Sequence, residues 1–336
     1  MKNMENDKNI LDVQKRLFQE IKKNLPARFV LVDVISEALN IGSDAAYSRI
    51  RCDKLLNIKE AYTLCRQFKI PFDLSAGVRN VHQFDCVYKP VDVSASGEFQ
   101  NYMFALLKSL EKLRASHDPS ILMSATDIPI FHLISYKELI FFKLYTWAHS
   151  VYNYKGSLGD FTKEIETPEI IGYFQKISKD YELIPSTEIW MDATMDTTLK
   201  LISYYLEIGE FSDRNMPILL CEQVLQILDK LQQWAEDGKK GDGAKPFQFY
   251  LSEMEVENTY VLIKESEQMH CGVKLFTING LNIYDKEFCR ETEQWLTKLA
   301  QRSILLCGGS EKERIKFFNT QREKVQDLMG KINHSF

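Results

Sequence analysis

The chain has 336 residues, 45% hydrophobic and 12% aromatic, with a formal charge of −5; such a composition excludes a disordered chain and is long enough for two or three packed cores. The opening MKNMENDKNI lacks the apolar run of a signal peptide, and the most apolar stretch, 128–151, is broken by His132, Lys137, Glu138, Lys143 and His149, so no membrane association is expected. Seven cysteines without paired spacing fit reduced thiols, and the expected location is the cytoplasm.

In chain order, residues 1–8 are expected to fray. A helix over 10–24 follows, with Leu11, Leu17, Phe18 and Ile21 inward, stopping before Pro26. Leu31, Val34, Ile35, Ala38 and Leu39 recur at helical spacing, and Asn40-Ile41-Gly42 interrupts them with residues that tolerate a left-handed backbone. Ser43 is expected as the N-cap of a second helix over 44–52, with Asp44 in its first turn, where a carboxylate suits the helix dipole. That helix turns Ala45, Ala46 and Ile50 inward and Ser43, Asp44, Tyr47, Ser48 and Arg51 outward. A third helix over 58–68 brings Ile58, Ala61, Leu64, Cys65 and Phe68 onto the same small core, up to the break at Pro71-Phe72.

The run A-L-N-I-G-S-D-A-A-Y-S-R-I-R, 38–51, followed by K-L-L-N-I-K-E-A-Y-T-L-C, resembles the DNA-binding domain of the lambda-repressor/Cro helix-turn-helix type found in bacterial transcriptional regulators. The resemblance covers residues 9–75. It departs from the family at Asn40 and Cys52, where Gly is usual, and Asp44 brings a carboxylate to a helix tip that would face phosphate. It implies that Ser43, Asp44, Tyr47, Ser48 and Arg51 face a DNA groove, with Lys54 on the phosphate backbone. Charge agrees in sign: residues 1–80 hold 14 Lys/Arg against 10 Asp/Glu, so the basic end is set on an acidic remainder.

Residues 73–97 read as irregular, with a strand candidate at 84–88, and 76–97 as a linker. A helix over 97–116 buries Phe99, Met103, Leu106, Leu107, Leu110 and Leu113. The ILMSATDIPIF stretch is β-rich, and helices are expected over 135–152, 167–178, 186–205 and 216–234. The segment 236–246, EDGKKGDGAKP, reads as an exposed loop. FQFYLSEMEV, NTYVLIKES and GVKLFTIN then read as three strands of a meander, followed by a helix over 285–301, a short strand over 303–307, and a last helix opened by Ser310 and Glu313.

The expected fold is therefore α+β and mostly helical. An all-α helix-turn-helix domain (1–75) precedes a body (98–336) that is helical over 98–235 and carries an antiparallel, sensor-like sheet over 246–336. Residues 131–154 are dense in aromatics, read first as core and second as a pocket or dimer face, with Trp147, Tyr152 and Tyr154 the residues of interest. His132 and His149 are read as hydrogen-bonded core histidines. No Cys-x-x-Cys, His-x-x-x-His, G-x-S-x-G or complete phosphate loop occurs, so no metal, cofactor or catalytic constellation is expected and the chain is not read as an enzyme. The expected function is a dimeric, sequence-specific binder of double-stranded DNA that regulates transcription, its body serving dimerisation or the sensing of a small-molecule effector. The alternative is an interaction or scaffold protein whose N-terminal helices bind a protein partner.

Overall fold

The structure, a computed structural model, describes residues 2–25, 29–70, 72, 84–211, 213, 215–276 and 278–335. It divides into two compact units, Met1–Phe84 and Asp85–Phe336, each described here by itself. Pro26 and residues 73–83, which include the beginning of the expected linker, lie outside the described residues. Residues 85–97 of that linker belong to the second unit.

The first unit is all helical: α1 (Lys2–Asn24), α2 (Leu31–Leu39), α3 (Ser43–Ile50) and α4 (Ile58–Phe68). Helix α1 starts at Lys2, so the expected fraying of 1–8 is replaced by helix. Leu17, Phe18, Ile21, Val32, Ile35, Ala46, Leu64 and Ile70 form one core, onto which Leu31, Ala38, Leu39, Cys65 and Phe68 pack. Asn40 ends α2 in the left-handed region (φ 51°), donating to Glu37 O while Ile41 N–H reaches Ser36 O. The N-cap of α3 is Gly42, extended at φ −68°, ψ 158°, and not Ser43, which is the first helical residue. The turn needs an extended residue between Asn40 and the helix, and Gly42 supplies it one position earlier than a capping hydroxyl would. Helix α3 ends at Ile50, and Cys52 adopts the left-handed backbone (φ 64°) at the position where the resembled family favours glycine.

Helix α4 opens with a capping box: Asn57 accepts from Glu60 N–H, and Glu60 accepts from Asn57 N–H. Ile58 was expected inward but is 90% exposed. On this helix the small core takes Leu64, with Cys65 and Phe68 packed on it, and the first turn of α4 lies outside it. Lys69 ends α4 with φ 54°, exposed to solvent. A Cβ costs about 1 kcal/mol or more in that region, part of which glycine returns as chain entropy. Lys69→Gly is therefore expected to stabilise the unit by about 0.5 kcal/mol, slowing amide exchange around Leu64 about twofold; faster exchange would contradict it.

The second unit is built on one mixed sheet. In chain order its elements are β1 (Cys86–Tyr88), α5 (Ser96–Ala115), β2 (Ser120–Ala125), α6 (Ile130–Leu133), α7 (Lys137–Val151), α8 (Leu158–Ile165), α9 (Pro168–Glu182), β3 (Ser186–Met191), α10 (Asp196–Glu207), α11 (Asn215–Asp237), β4 (Lys239–Lys240), β5 (Lys245–Ser252), β6 (Tyr260–Glu265), β7 (Gln268–Phe276), β8 (Asn279–Ile283), α12 (Lys286–Gln301), β9 (Ile304–Leu305) and α13 (Glu311–Ser335). Strand order is β1-β8-β7-β6-β2-β3-β5-β4, with β9 also on β5. β2, β3 and β5 run parallel, with Ile121 opposite Ser186 and Ser186 opposite Phe247, and β6–β8 and β1 extend them antiparallel.

The fold is α+β and mostly helical, with strands toward the C-terminus as expected, but three details differ. The antiparallel strands are one wing of a sheet whose parallel centre takes β2 from the stretch read as β-rich and β3 from one read as helical. The expected 186–205 helix is instead β3 followed by α10, with β3 buried on both faces as a central parallel strand requires. β5 pairs with β3 rather than with β6, so the meander is β6–β7–β8. Helix α8 was not anticipated.

One face of the sheet carries Ile189, Leu262 and Cys271 against Leu296 and Leu299 of α12. The other carries Ile121, Met123, Phe247 and Phe249 into the main core, with Phe141, Phe142 and Leu144 of α7 and Leu220, Val224 and Leu228 of α11. Phe131, Phe141, Phe142 and Tyr145 are buried in this core, while Tyr136, Trp147, Tyr152 and Tyr154 remain partly exposed at its margin. All seven cysteines are free.

Candidate nucleic-acid interface

Helix α3 presents two rows of side chains. Ser43, Tyr47 and Arg51 are spaced four apart, as are Asp44 and Ser48, so both rows run along one side of the helix. Ser43, Asp44, Tyr47 and Arg51 are exposed and Ser48 half-buried. The Arg51 guanidinium lies 5.7 Å from the Tyr47 ring centroid and 3.9 Å from Asp53 Oδ2, both in solvent. An exposed pair at that distance contributes little, so Arg51 can exchange Asp53 for another acceptor at small cost. Ser48 holds the next turn through its carbonyl, which accepts from Asp53 N–H (2.8 Å) and Lys54 N–H (3.2 Å), and the Lys54 side chain stays exposed.

The opposite side of α3 is anchored by residues the sequence reading passed over. Arg49 is 6% exposed. Its Nη2 donates to Glu60 Oε1 at 2.7 Å, its Nε to the same oxygen at 3.2 Å, and its Nη1 to Ala45 O at 2.9 Å. The bond from Arg49, despite opposing burial, holds the Glu60 carboxyl below the ordinary carboxylate range. Gln14, buried on α1, donates to Arg49 O (2.7 Å) and Lys54 O (2.9 Å) and accepts from Leu56 N–H (2.8 Å). Together these bonds tie α1, the end of α3 and the cap of α4 into one rigid corner. The available signals were a glutamine within the apolar face of α1 and the Asn57–Glu60 capping spacing.

No family model, curated protein or solved structure matches the chain. The chemistry of the site is therefore read from its own geometry. It offers a guanidinium, a phenol, hydroxyls and one carboxylate on an exposed helix side, with a lysine one turn beyond. That set offers hydrogen-bond donors and acceptors along one exposed helix side.

The second unit keeps its polar groups mostly inside. Glu188 on β3 is fully buried. His132 Nε2 lies 3.0 Å from each of its oxygens, Trp190 Nε1 donates at 2.9 Å, and the Tyr181 hydroxyl donates to it as well. Burial alone would raise Glu188, but His132, Tyr181 and Lys240 outweigh it and hold the carboxyl below its ordinary value. Lys240, expected on an exposed loop, is fully buried, donates to Tyr181 O at 2.7 Å and sits 3.5 Å from the Tyr181 ring centroid. His149 bonds the Tyr205 hydroxyl at 3.1 Å, so both histidines are hydrogen-bonded, His132 buried in the core and His149 half-buried at its margin. Among the described residues no group of three His, Cys, Asp or Glu is placed to hold a metal, and no helix is long and apolar enough to cross a membrane.

Proposed function

We propose that the chain is a sequence-specific DNA-binding transcriptional regulator. The observation that carries this reading is the α2–turn–α3 pair, whose outer side is exposed and polar while its inner side is clamped by Arg49, Glu60 and Gln14. A rigid, exposed helix of this kind is what insertion into a major groove requires. Helix α3 enters the groove, Tyr47 and Arg51 touch base edges, Ser43 and Ser48 add hydrogen bonds, Asp44 accepts from a cytosine amino group, and Lys54 holds phosphate. With few cations, each protomer binds modestly and salt-sensitively, and a homodimer on a palindromic operator doubles the contacts. The working location of such a regulator is the cytoplasm.

The test is selection of random duplex DNA by the full-length protein. An enriched two-fold motif, half-sites one helical turn apart, is expected. Arg51→Ala should then cost about 1–3 kcal/mol, confined to the base it reads. An equal loss on every sequence would move Arg51 to the phosphate, and no motif even at low salt would sink the reading.

A second reading has one observation in its favour. Leu55, Ile58 and Tyr62 are exposed beside one another at the start of α4, an apolar surface that suits a protein partner. In that case Ile58→Ser, not Arg51→Ala, removes binding, and salt has little effect.

A further inference from the structure

Asp127 follows β2 at the C-terminal end of the parallel strands, the edge at which open sheets with parallel strands place ligands. Its Oδ2 accepts from Lys143 Nζ at 2.8 Å and faces Lys274 Nζ at 3.7 Å, and its Oδ1 accepts from Thr198 Oγ1 at 3.1 Å. The two lysines differ. Lys143 is fully buried and hydrogen-bonded. The Lys274 side chain, on β7, is 32% exposed and makes no hydrogen bond to a described residue. Both ammoniums approach the partly exposed Trp147 ring, at 5.8 and 5.6 Å from its centroid.

The charges do not balance. The charged groups acting on Lys274 are one attracting carboxylate, Asp127, and one repelling ammonium, Lys143; burial pushes Lys274 below the ordinary lysine value, with Asp127 opposing. The Lys274 ammonium pairs with a carboxylate that it shares with Lys143, which leaves it donors that Asp127 does not take.

We propose that Lys274, backed by Lys143 and flanked by Trp147, is a binding site in the second unit for a small oxyanion, the carboxylate or phosphate group of an organic ligand. The anion takes the unused donors of Lys274 and neutralises the surplus charge, while Asp127 keeps Lys143 in place. The site lies wholly within the second unit, so it stands whether or not the N-terminal unit reads DNA.

Calorimetric titration of the full-length protein with inorganic phosphate and, separately, with succinate tests it. Saturable binding of at least one probe below about 10 mM is expected, and which of the two binds more tightly distinguishes the anion class. Lys274→Gln should weaken binding at least about tenfold while changing the melting profile by no more than the loss of a long, partly exposed ion pair to Asp127. Lys274→Arg should stay within a few-fold of the parent, and Trp147→Phe should remove a fluorescence change on binding without removing the heat. No saturation with either probe, or equal affinity in Lys274→Gln, would overturn the proposal.

Discussion

Replacing Glu188 by alanine is expected to destabilise the second unit by about 3–5 kcal/mol, the range for a buried ionic network broken on one side. The carboxylate is fully buried on the central strand and receives the Trp190 indole, the Tyr181 hydroxyl and the His132 ring. Removing it strands three donors and leaves the Lys240 ammonium without the carboxylate that favours its charged form. Glu188→Gln keeps the volume and part of the hydrogen bonding, so it should cost less. Trp190 and Trp234 sit beside the network and all four tryptophans lie in this unit, so tryptophan fluorescence in a urea titration reads it selectively. A cost under about 1 kcal/mol would mean that the network contributes no more than a surface pair.

The same network sets a pH dependence. Burial outweighs Glu188 and pushes Lys240 down to about 7, well under its unfolded value of about 10.4. Between those values the unfolded chain binds the extra proton, so this group makes stability rise with pH from about 7 toward 10, and its burial penalty is fully present below 7. Without the Glu188 carboxylate the folded value falls further and the window widens toward acid. Lys240→Met should flatten the slope, measured as urea midpoints at pH 7 and 9.

These buried groups also explain where sequence reading stopped. Apolar spacing found α1, α2, α4 and α5 because each buries one stripe, and a stripe has a period, while α7, buried on nearly every side, was found by its run of apolar residues. It misread Ser186–Met191 because a central parallel strand is buried on both faces and shows no alternation, and because Glu188 and Ser186 look like helix-surface polarity until their partners are seen. Those partners, His132, Tyr181 and Trp190, arrive from β3 and from elements earlier in the chain. Lys240 misled in the same way: amid the charged, glycine-rich 236–246 segment, nothing local separates one buried lysine from two exposed ones.

In the N-terminal unit the exposed row Ser43, Asp44, Tyr47, Ser48, Arg51 was legible, since facing outward needs only helical periodicity. Two features were not. The cap moved from Ser43 to Gly42 because backbone turning, not hydroxyl chemistry, decides that position. Arg49 escaped notice because arginine is rarely buried, and Glu60, which makes burial tolerable, lies eleven residues on.

That pair gives the second large effect. Arg49→Ala is expected to destabilise the N-terminal unit by about 3 kcal/mol, since it removes the partner of a mostly buried carboxylate and three hydrogen bonds at once. Glu60 adds an acid dependence. Its folded value lies below the unfolded carboxylate value of about 4.3, so the stabilisation is complete above that value and is lost as pH falls through the folded one. The variant should lose most of this acid sensitivity along with its stability. This unit contains no tryptophan, so the readout is amide exchange over residues 43–68 in the full chain, at pH values above and below 4. On the proposed DNA-binding reading, Arg49 acts by holding α3 in place, so Arg49→Ala would lower affinity for every duplex by a similar factor, whereas Arg51→Ala would change which duplex is preferred. Unchanged exchange in Arg49→Ala together with altered base preference would reverse these roles and place Arg49 at the DNA.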